Sequence, residues 1–306
     1  MTFSFERPLV KEKSFYPGQW GVLGSDSPLG LRTDTRSTVF YVDSGHARTS
    51  DNNDGTDPDN PLATITHALV HCTTNANDFI IVRQITNALE TFPISITKNR
   101  VHLLSTFYRY GHGPEIRPVA DTAGIVLNAD NVEIAGFEIN GGNTAGCIEA
   151  GAAATWGADI HHNRFGWQAT TPQDGIRMTG AVDKPHWTIH DNWFGDKIVR
   201  DGIRIEQNST RSEIWGNHFR QGAASGVGIQ LVTLCTDIYA IHDNVFRVVG
   251  ATQGDAITCN INSLNCMFFG NQAMCLGANP AQNPYIDLGG NDWGVNWAGD
   301  VVIYPV

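Results

Sequence analysis

Four segments decide the fold: ADIHHNRF (158–165), WTIHDNWF (187–194), SEIWGNHF (212–219) and YAIHDNVF (239–246). Each has an aliphatic residue, two variable residues, an asparagine, one more residue and a phenylalanine. The asparagines are Asn163, Asn192, Asn217 and Asn244, with a degenerate fifth, Asn271, in MFFGNQA, and the spacings are 29, 25, 27 and 27. A second series alternates with the first: GIVL, CIEA, GIRM, GIRI, GIQL and AITC. Its isoleucines are Ile125, Ile148, Ile176, Ile203, Ile229 and Ile257, spaced by 23, 28, 27, 26 and 28. Two interleaved series with one shared period describe a solenoid of stacked units.

Within each unit the pattern has period two, so the local structure is strand. In GIRI, Ile203 and Ile205 face one way and Arg204 the other. Parallel strands stack about 4.8 Å apart, which brings equivalent residues of successive coils directly above one another. Phe165, Phe194, Phe219 and Phe246 then form an inward aromatic ladder. The asparagines form a ladder at a bend, where one amide bonds the next and Asn tolerates left-handed backbone. Gly175, Gly202 and Gly228 mark a further bend. A β-sandwich with accidental internal similarity is the alternative, and it gives no reason for two series to stay in phase.

These ladders resemble the pectin-lyase-like superfamily of right-handed parallel β-helices, over roughly residues 38–291. The resemblance implies an all-β fold: a single-stranded right-handed parallel β-helix with coils of about 27 residues and an N-terminal capping helix. It specifies fold far more than activity, since the superfamily holds lyases, hydrolases, epimerases, viral tailspikes and non-enzymatic virion proteins.

The chain has 306 residues, enough for a large core. Net charge is −11 with no Lys/Arg run, which argues against nucleic-acid binding. No apolar stretch reaches membrane-spanning length, and MTFSFERPLVKEKSF lacks the apolar segment of a signal peptide. The six cysteines (Cys72, Cys147, Cys235, Cys259, Cys266 and Cys275) form no CxxC pair and share no column of the repeat. They read as buried free thiols made in a reducing cytoplasm.

In chain order, residues 1–37 form a non-repetitive arm read as an attachment or docking segment. Residues 38–95 form an N-terminal cap with first strands and a helix over about 62–72. There, Leu62, Ile65, Leu69 and Cys72 share one helix face, and Thr64 or Asn60 is placed to cap it. This stretch, VFYV through PLATITHAL, resembles the N-terminal cap of many β-helix proteins. The loop DNNDGTD suggests calcium but fails EF-hand spacing, and Asx turns are the preferred reading. The β-helix is assigned to 96–290, and 291–306, with two tryptophans and VVIY, to a C-terminal cap or subunit-pairing tail. GHG at 111–113 echoes a short polygalacturonase motif without its acidic companions, so His112 reads as a loop residue.

One column offers a carboxyl pair. Asp174 and Asp201 each precede the Gly-Ile of successive coils and should lie about 5 Å apart, near a retaining glycosidase separation. Arg177 and Arg204 stack beside them, and Glu206 is close. The competing and preferred reading is turn chemistry, with Asp/Arg ladders neutralising one another. The metal clusters and arginine motif expected of pectate lyases are absent. So is the Asp-Pro-His-Asp motif of alginate epimerases, for which His190-Asp191 and His242-Asp243 are the nearest approximations.

A second column holds His161, His190, Trp215, His242 and Phe269, pointing outward on successive coils. The next holds Arg164, Trp193, His218 and Val245. Such a stripe reads as a subunit interface, with a sugar-stacking groove as the alternative. The expectation that joins these features is a bacteriophage virion structural protein: a capsid decoration, head fibre or tail-associated β-helix. It would be homotrimeric and docked on a capsid or tail protein through residues 1–37, with host-surface polysaccharide as a further candidate ligand. The word virion comes from the family resemblance. The alternative is a carbohydrate-active enzyme, a tailspike depolymerase, polysaccharide lyase or glycoside hydrolase. No cofactor is expected beyond the disfavoured calcium.

Overall fold

A computed structural model describes residues 37–106, 113–151, 155–167, 170–180, 182–221, 226–232, 238, 240–248, 255–260, 262–275, 284–298 and 301–303. The N-terminal arm, His112 and Cys235 lie outside the described residues.

The alternating residues do form strands, and the strands stack in three parallel sheets. Among the described residues, ten strands make sheet I, from Val39–Asp43 to Gly290–Trp293. Nine make sheet II, from Glu115–Ile116 to Val301–Ile303, and eight make sheet III, from Ile94–Ile96 to Tyr285–Asp287. From Val101–Ser105 to Tyr285–Asp287 each coil visits them in the same order: for example Asp159–His161 in sheet I, Arg164–Phe165 in sheet II, Asp174–Met178 in sheet III, then Thr188–His190 back in sheet I. The result is the right-handed parallel β-helix. Inside it, Ile94, Ile125, Ile148, Ile176, Ile203, Ile229 and Ile257 stack in unbroken register and end on Tyr285, all fully buried. Burying each such side chain contributes about 1.5–3 kcal/mol, which is why one face of every strand stays aliphatic. The phenylalanine ladder stacks at centroid distances of 4.9, 4.5 and 4.7 Å from Phe165 to Phe246.

The asparagine ladder is longer than its sequence signal. Asn163, Asn192, Asn217, Asn244, Asn271 and Asn296 each pass one amide bond to the next, from 3.3 Å at the first step to 2.9 Å at the last. Asn271 is a full member, and Asn296 is a sixth that the sequence reading missed. The parallel ladders therefore run past residue 290 into strands Gly290–Trp293 and Asn296–Ala298. Only then does Val301–Ile303 fold back antiparallel. The left-handed residue at this corner is not the asparagine but the one before it: His162 (φ 55°), Asp191 (53°), Gly216 (64°), Asp243 (54°) and Gly270 (70°). Short polar side chains and glycine tolerate that region, which frees the asparagine amide to reach the next coil.

Gly175 and Gly202 do not mark a bend. They lie inside strands, and a Cβ at Gly175 would stand 2.6 Å from a Phe194 ring carbon and 2.5 Å from the Gly202 carbonyl. Glycine is required there by the close approach of the phenylalanine ladder.

Helix α1 spans Ile65–His71, and the Thr64 side chain accepts from the His67 amide at 3.1 Å. Leu62, Ile65, Leu69 and Cys72 are buried together against the first coil. Asp51 accepts from the Ala63 and Thr64 amides. Asp54 and Asp57 bond within their own turns, and no three carboxylates of this loop converge. Buried Glu90 accepts from the Ile65 amide at 2.5 Å and from Thr66. Burial raises its pKa against those hydrogen bonds. Glu90→Ala is expected to lower stability by about 1–2 kcal/mol in urea denaturation, with Glu90→Gln recovering part of the loss because it retains an acceptor.

Cys72, Cys147, Cys259 and Cys266 are free and buried. Burial pushes the Cys72 thiol up to about 12, so it is unreactive at neutral pH.

Candidate functional site

The outer face of sheet III concentrates charge. Residues between the inward isoleucines point out, and register stacks Glu149, Arg177, Arg204, Gln230 and Thr258 in one column. Asp174 and Asp201 stack in a neighbouring column, as their positions before Gly-Ile require.

The two aspartates prove to be differently placed from Glu206. Asp174 is fully buried, and Arg200 from the next coil grips both its oxygens, with Nε at 2.9 Å from Oδ1. Asp201, 2% exposed, accepts from the Val227 amide at 3.0 Å and from Arg204 at 2.6 Å. Burial raises the Asp201 pKa, and neighbouring Asp174 adds to the rise. Neither carboxyl is presented to a polymer lying on the sheet. Their partners are those of a structural ladder, with Arg200 in the place the sequence assigned to Arg177. Asp174→Asn is accordingly expected to destabilise the fold by about 2 kcal/mol, because it leaves the partly exposed Arg200 guanidinium with only the more distant Asp201 carboxylate at 3.9 Å. Thermal unfolding followed by circular dichroism checks this.

Glu206 is reachable, with 17% of its side chain exposed. Arg204 Nε lies 2.7 Å from its Oε1 and Arg177 Nη2 lies 3.1 Å from its Oε2. Burial raises the Glu206 pKa, but Arg204, a hydrogen bond from Thr179 and Arg177 together outweigh it, and the carboxyl is held below its ordinary value. Glu149 sits on the other side of the same guanidinium, 3.8 Å from Arg177 Nη1 and with 21% of its side chain exposed. It also accepts from the Gly146 amide at 2.9 Å. Two accessible carboxyls thus straddle Arg177. Their shared guanidinium holds the carboxyl oxygens at most about 9 Å apart, within reach of a single glycosidic bond. The sequence reading missed Glu149. Its signal was there, in the register of CIEA with GIRM and GIRI.

On sheet I, His161, His190, Trp215, His242 and Phe269 do share one outward column, but as a stack. Successive ring centroids lie 4.8, 4.3, 6.3 and 4.8 Å apart with planes within 12°. The ring faces are spent on one another, so edges face outward and sugar stacking on those faces is closed off. His161 is buried, His190, Trp215 and His242 are half-buried, and Phe269 is exposed. His190 lies between Asp159 at 3.3 Å and Asp191 at 2.9 Å, and His242 between Glu213 and Asp243. Burial alone would lower the His190 pKa, but the two carboxylates together raise it. Glu133 is pushed up by burial, but hydrogen bonds from His102 and His161 hold it at about 2. In sheet II, Trp193 and His218 stack at 4.9 Å, and Arg164 lies 4.5 Å over Trp167.

Asp159, His161 and His190 bring three potential metal-binding atoms within 4.8 Å. The two imidazoles, however, are stacked with planes 9° apart. Their in-plane lone pairs run side by side instead of converging, and tetrahedral coordination needs convergence.

No family model matches the chain, and no curated protein matches it. Among solved structures it is similar to the crystal structure of alginate lyase from Paenibacillus sp. strain FPU-7. Identity is 10%, coverage is 86% of this chain and 99% of that one, and the TM-score is 0.46. At that identity and score the likeness carries nothing about the site's chemistry. The fold itself is a right-handed parallel β-helix, as the sheet topology shows.

Proposed function

We propose that the chain is a carbohydrate-active enzyme, a glycoside hydrolase that lays a linear polysaccharide along the outer face of sheet III. The observation that carries this reading is the pair of accessible carboxyls, Glu149 and Glu206, on either side of Arg177. Glu206, held ionised by Arg177 and Arg204, is the base that activates water. Glu149, with one arginine at 3.8 Å, is the proton donor to the leaving oxygen. The substrate class follows from charge. Arg177, Arg200 and Arg204 meet Glu149, Asp174, Asp201 and Glu206, so the patch has no surplus positive charge with which to hold a polyanion. A neutral glycan fits it better than a polyuronate. The test is reducing-end release from a panel of neutral and acidic polysaccharides by the purified chain. Turnover of a neutral glycan supports the reading, and turnover confined to polyuronates, or none across the panel, removes it.

A second reading, the non-enzymatic homotrimeric virion component, is favoured by one observation. Leu264, Met267, Phe269, Met274 and Trp297 leave apolar side chains exposed on the last coils. Light scattering that returns three chains per particle, together with no glycan turnover, would replace the enzyme by an assembly subunit. In that reading the arm at residues 1–37 docks on a capsid or tail protein.

A further inference from the structure

The rings and carboxylates on the outside of sheet I follow a rule that stacking alone does not explain. Two outward columns run side by side. One holds Glu133, Asp159, Thr188 and Glu213, and the other holds Ala135, His161, His190, Trp215 and His242. Among the described residues, each histidine of the second column stands one coil after a carboxylate of the first. Its Nε2 faces that carboxylate: Glu133 Oε1 at 2.9 Å from His161, Asp159 Oδ1 at 3.3 Å from His190, and Glu213 Oε1 at 3.1 Å from His242. Where the first column holds Thr188, the ring one coil on is Trp215. The Nδ1 side differs. In His161 it meets His162 Nδ1 at 2.8 Å, but in His190 and His242 it meets a second carboxylate, Asp191 and Asp243, each at 2.9 Å.

An ionised carboxylate accepts and cannot donate, so an imidazole set between two of them serves both only with a proton on each nitrogen. At His190 the need is sharpest. Asp159 Oδ1 is buried and has no hydrogen-bond partner, which leaves the His190 Nε2 proton as the positive group that faces it. The His190 ring also lies flat on Trp215, 4.3 Å away with planes 5° apart, and the negative face of an indole attracts a planar cation.

We propose that the His190 imidazolium is a pH-sensitive clamp across three successive coils, through Asp159 on one side and Trp215 on the other, and that loss of its proton loosens sheet I. The titratable groups around it are Asp159, His161 and His162 on the preceding coil, Asp191 beside it and Glu213 on the following coil. His218, in sheet II, faces Asp191 as well. His162 does not compete for the proton, because burial and neighbouring His161 hold it down at about 4. Burial works against the His190 proton, but Asp159 and Asp191 outweigh it and raise the pKa. A histidine raised in the folded state contributes stability that is fully present below its unfolded value of about 6.5 and is lost as pH rises through the folded value. The clamp is therefore closed in acid and opens as pH climbs past about 6.5. It acts on the contact between coils, whatever the outer face of sheet III binds.

Long-range ¹H–¹⁵N correlation spectra of the full chain, labelled with ¹⁵N-histidine, read the protonation of the ring directly. The His190 signal, identified by its loss in His190→Gln, is expected to be that of an imidazolium at pH of about 6.5 and to titrate above it. Asp191→Asn should lower the midpoint of that titration by about one pH unit. A neutral His190 ring at pH of about 6.5, or a midpoint that Asp191→Asn leaves in place, overturns the clamp. Stability gives a second readout. The gap in thermal unfolding midpoint between the wild-type chain and His190→Gln should be wider in acid than in alkali. A ring that merely fills space gives the same gap on both sides of neutrality, and that result also overturns the proposal. Asp191→Asn retains the ring and its stack, and it supplies the same comparison where His190→Gln does not fold.

Discussion

Glu206→Gln is expected to cut glycan turnover by on the order of 10³, with little change in the unfolding midpoint. The carboxylate lies between Arg177 and Arg204, and its ionised form is what the water needs as a base. Glutamine retains the shape and one acceptor oxygen but accepts no proton. The pH profile carries the same information. Glu206 is held below its ordinary 4.5, so the ionised base persists as pH falls. The acid limb of kcat/KM should therefore lie below 4.5. Arg204→Gln removes the larger stabilising contact and should move that limb upward. The sign for stability agrees: a depressed carboxyl contributes stability above its unfolded pKa, and that stability is lost as pH falls through the folded one. Turnover that survives Glu206→Gln, or a limb that stays in place when Arg204 is changed, would show that Glu206 is only a member of a structural ladder.

A large effect on the fold is expected from Asn217→Ala, a loss of about 3 kcal/mol in urea denaturation. Asn217 is fully buried at the middle of the ladder. Its amide nitrogen donates to the Ile189 carbonyl at 2.8 Å and to Asn244 Oδ1 at 3.0 Å, while its oxygen accepts from the Asn192 backbone amide at 3.1 Å. Alanine leaves that backbone amide and the Ile189 carbonyl short of partners in a place water does not reach. Asn217→Asp should be worse than alanine near neutral pH. It retains the acceptor but loses the donors, and it sets a carboxylate against the Asn244 oxygen. A loss below about 1 kcal/mol for alanine would mean that neighbouring rungs close the gap.

Periodicity was enough to read the parallel coil of about 27 residues, because inward isoleucine, phenylalanine and asparagine recur at one spacing and parallel register must align them; that each coil carries three strands is seen in the fold. It could not assign the left-handed corner residue. His162, Asp191, Gly216, Asp243 and Gly270 have no common chemistry beyond tolerating that backbone. Nor did it find Asn296, whose segment lacks the phenylalanine that marks the earlier rungs. Among the site residues, Asp174, Asp201 and Glu206 were legible as one acidic group, but Glu149 and Arg200 were not singled out.

What the sequence determined by itself is which residues stack on which, since equal spacing along a parallel solenoid converts directly into vertical contact. Only the tertiary structure decided what each stack does. The side chains at Asp174 and Glu206 are both carboxyls near arginines. One is closed over by Arg200 from the next coil, and the other stays open between Arg204 and Arg177. The rings of sheet I were readable as an outward stripe, yet the strand spacing of about 4.8 Å lets their faces meet, so that only their edges point outward. Exposure and lone-pair direction depend on neighbouring coils and on side-chain torsions, and a repeat period contains neither.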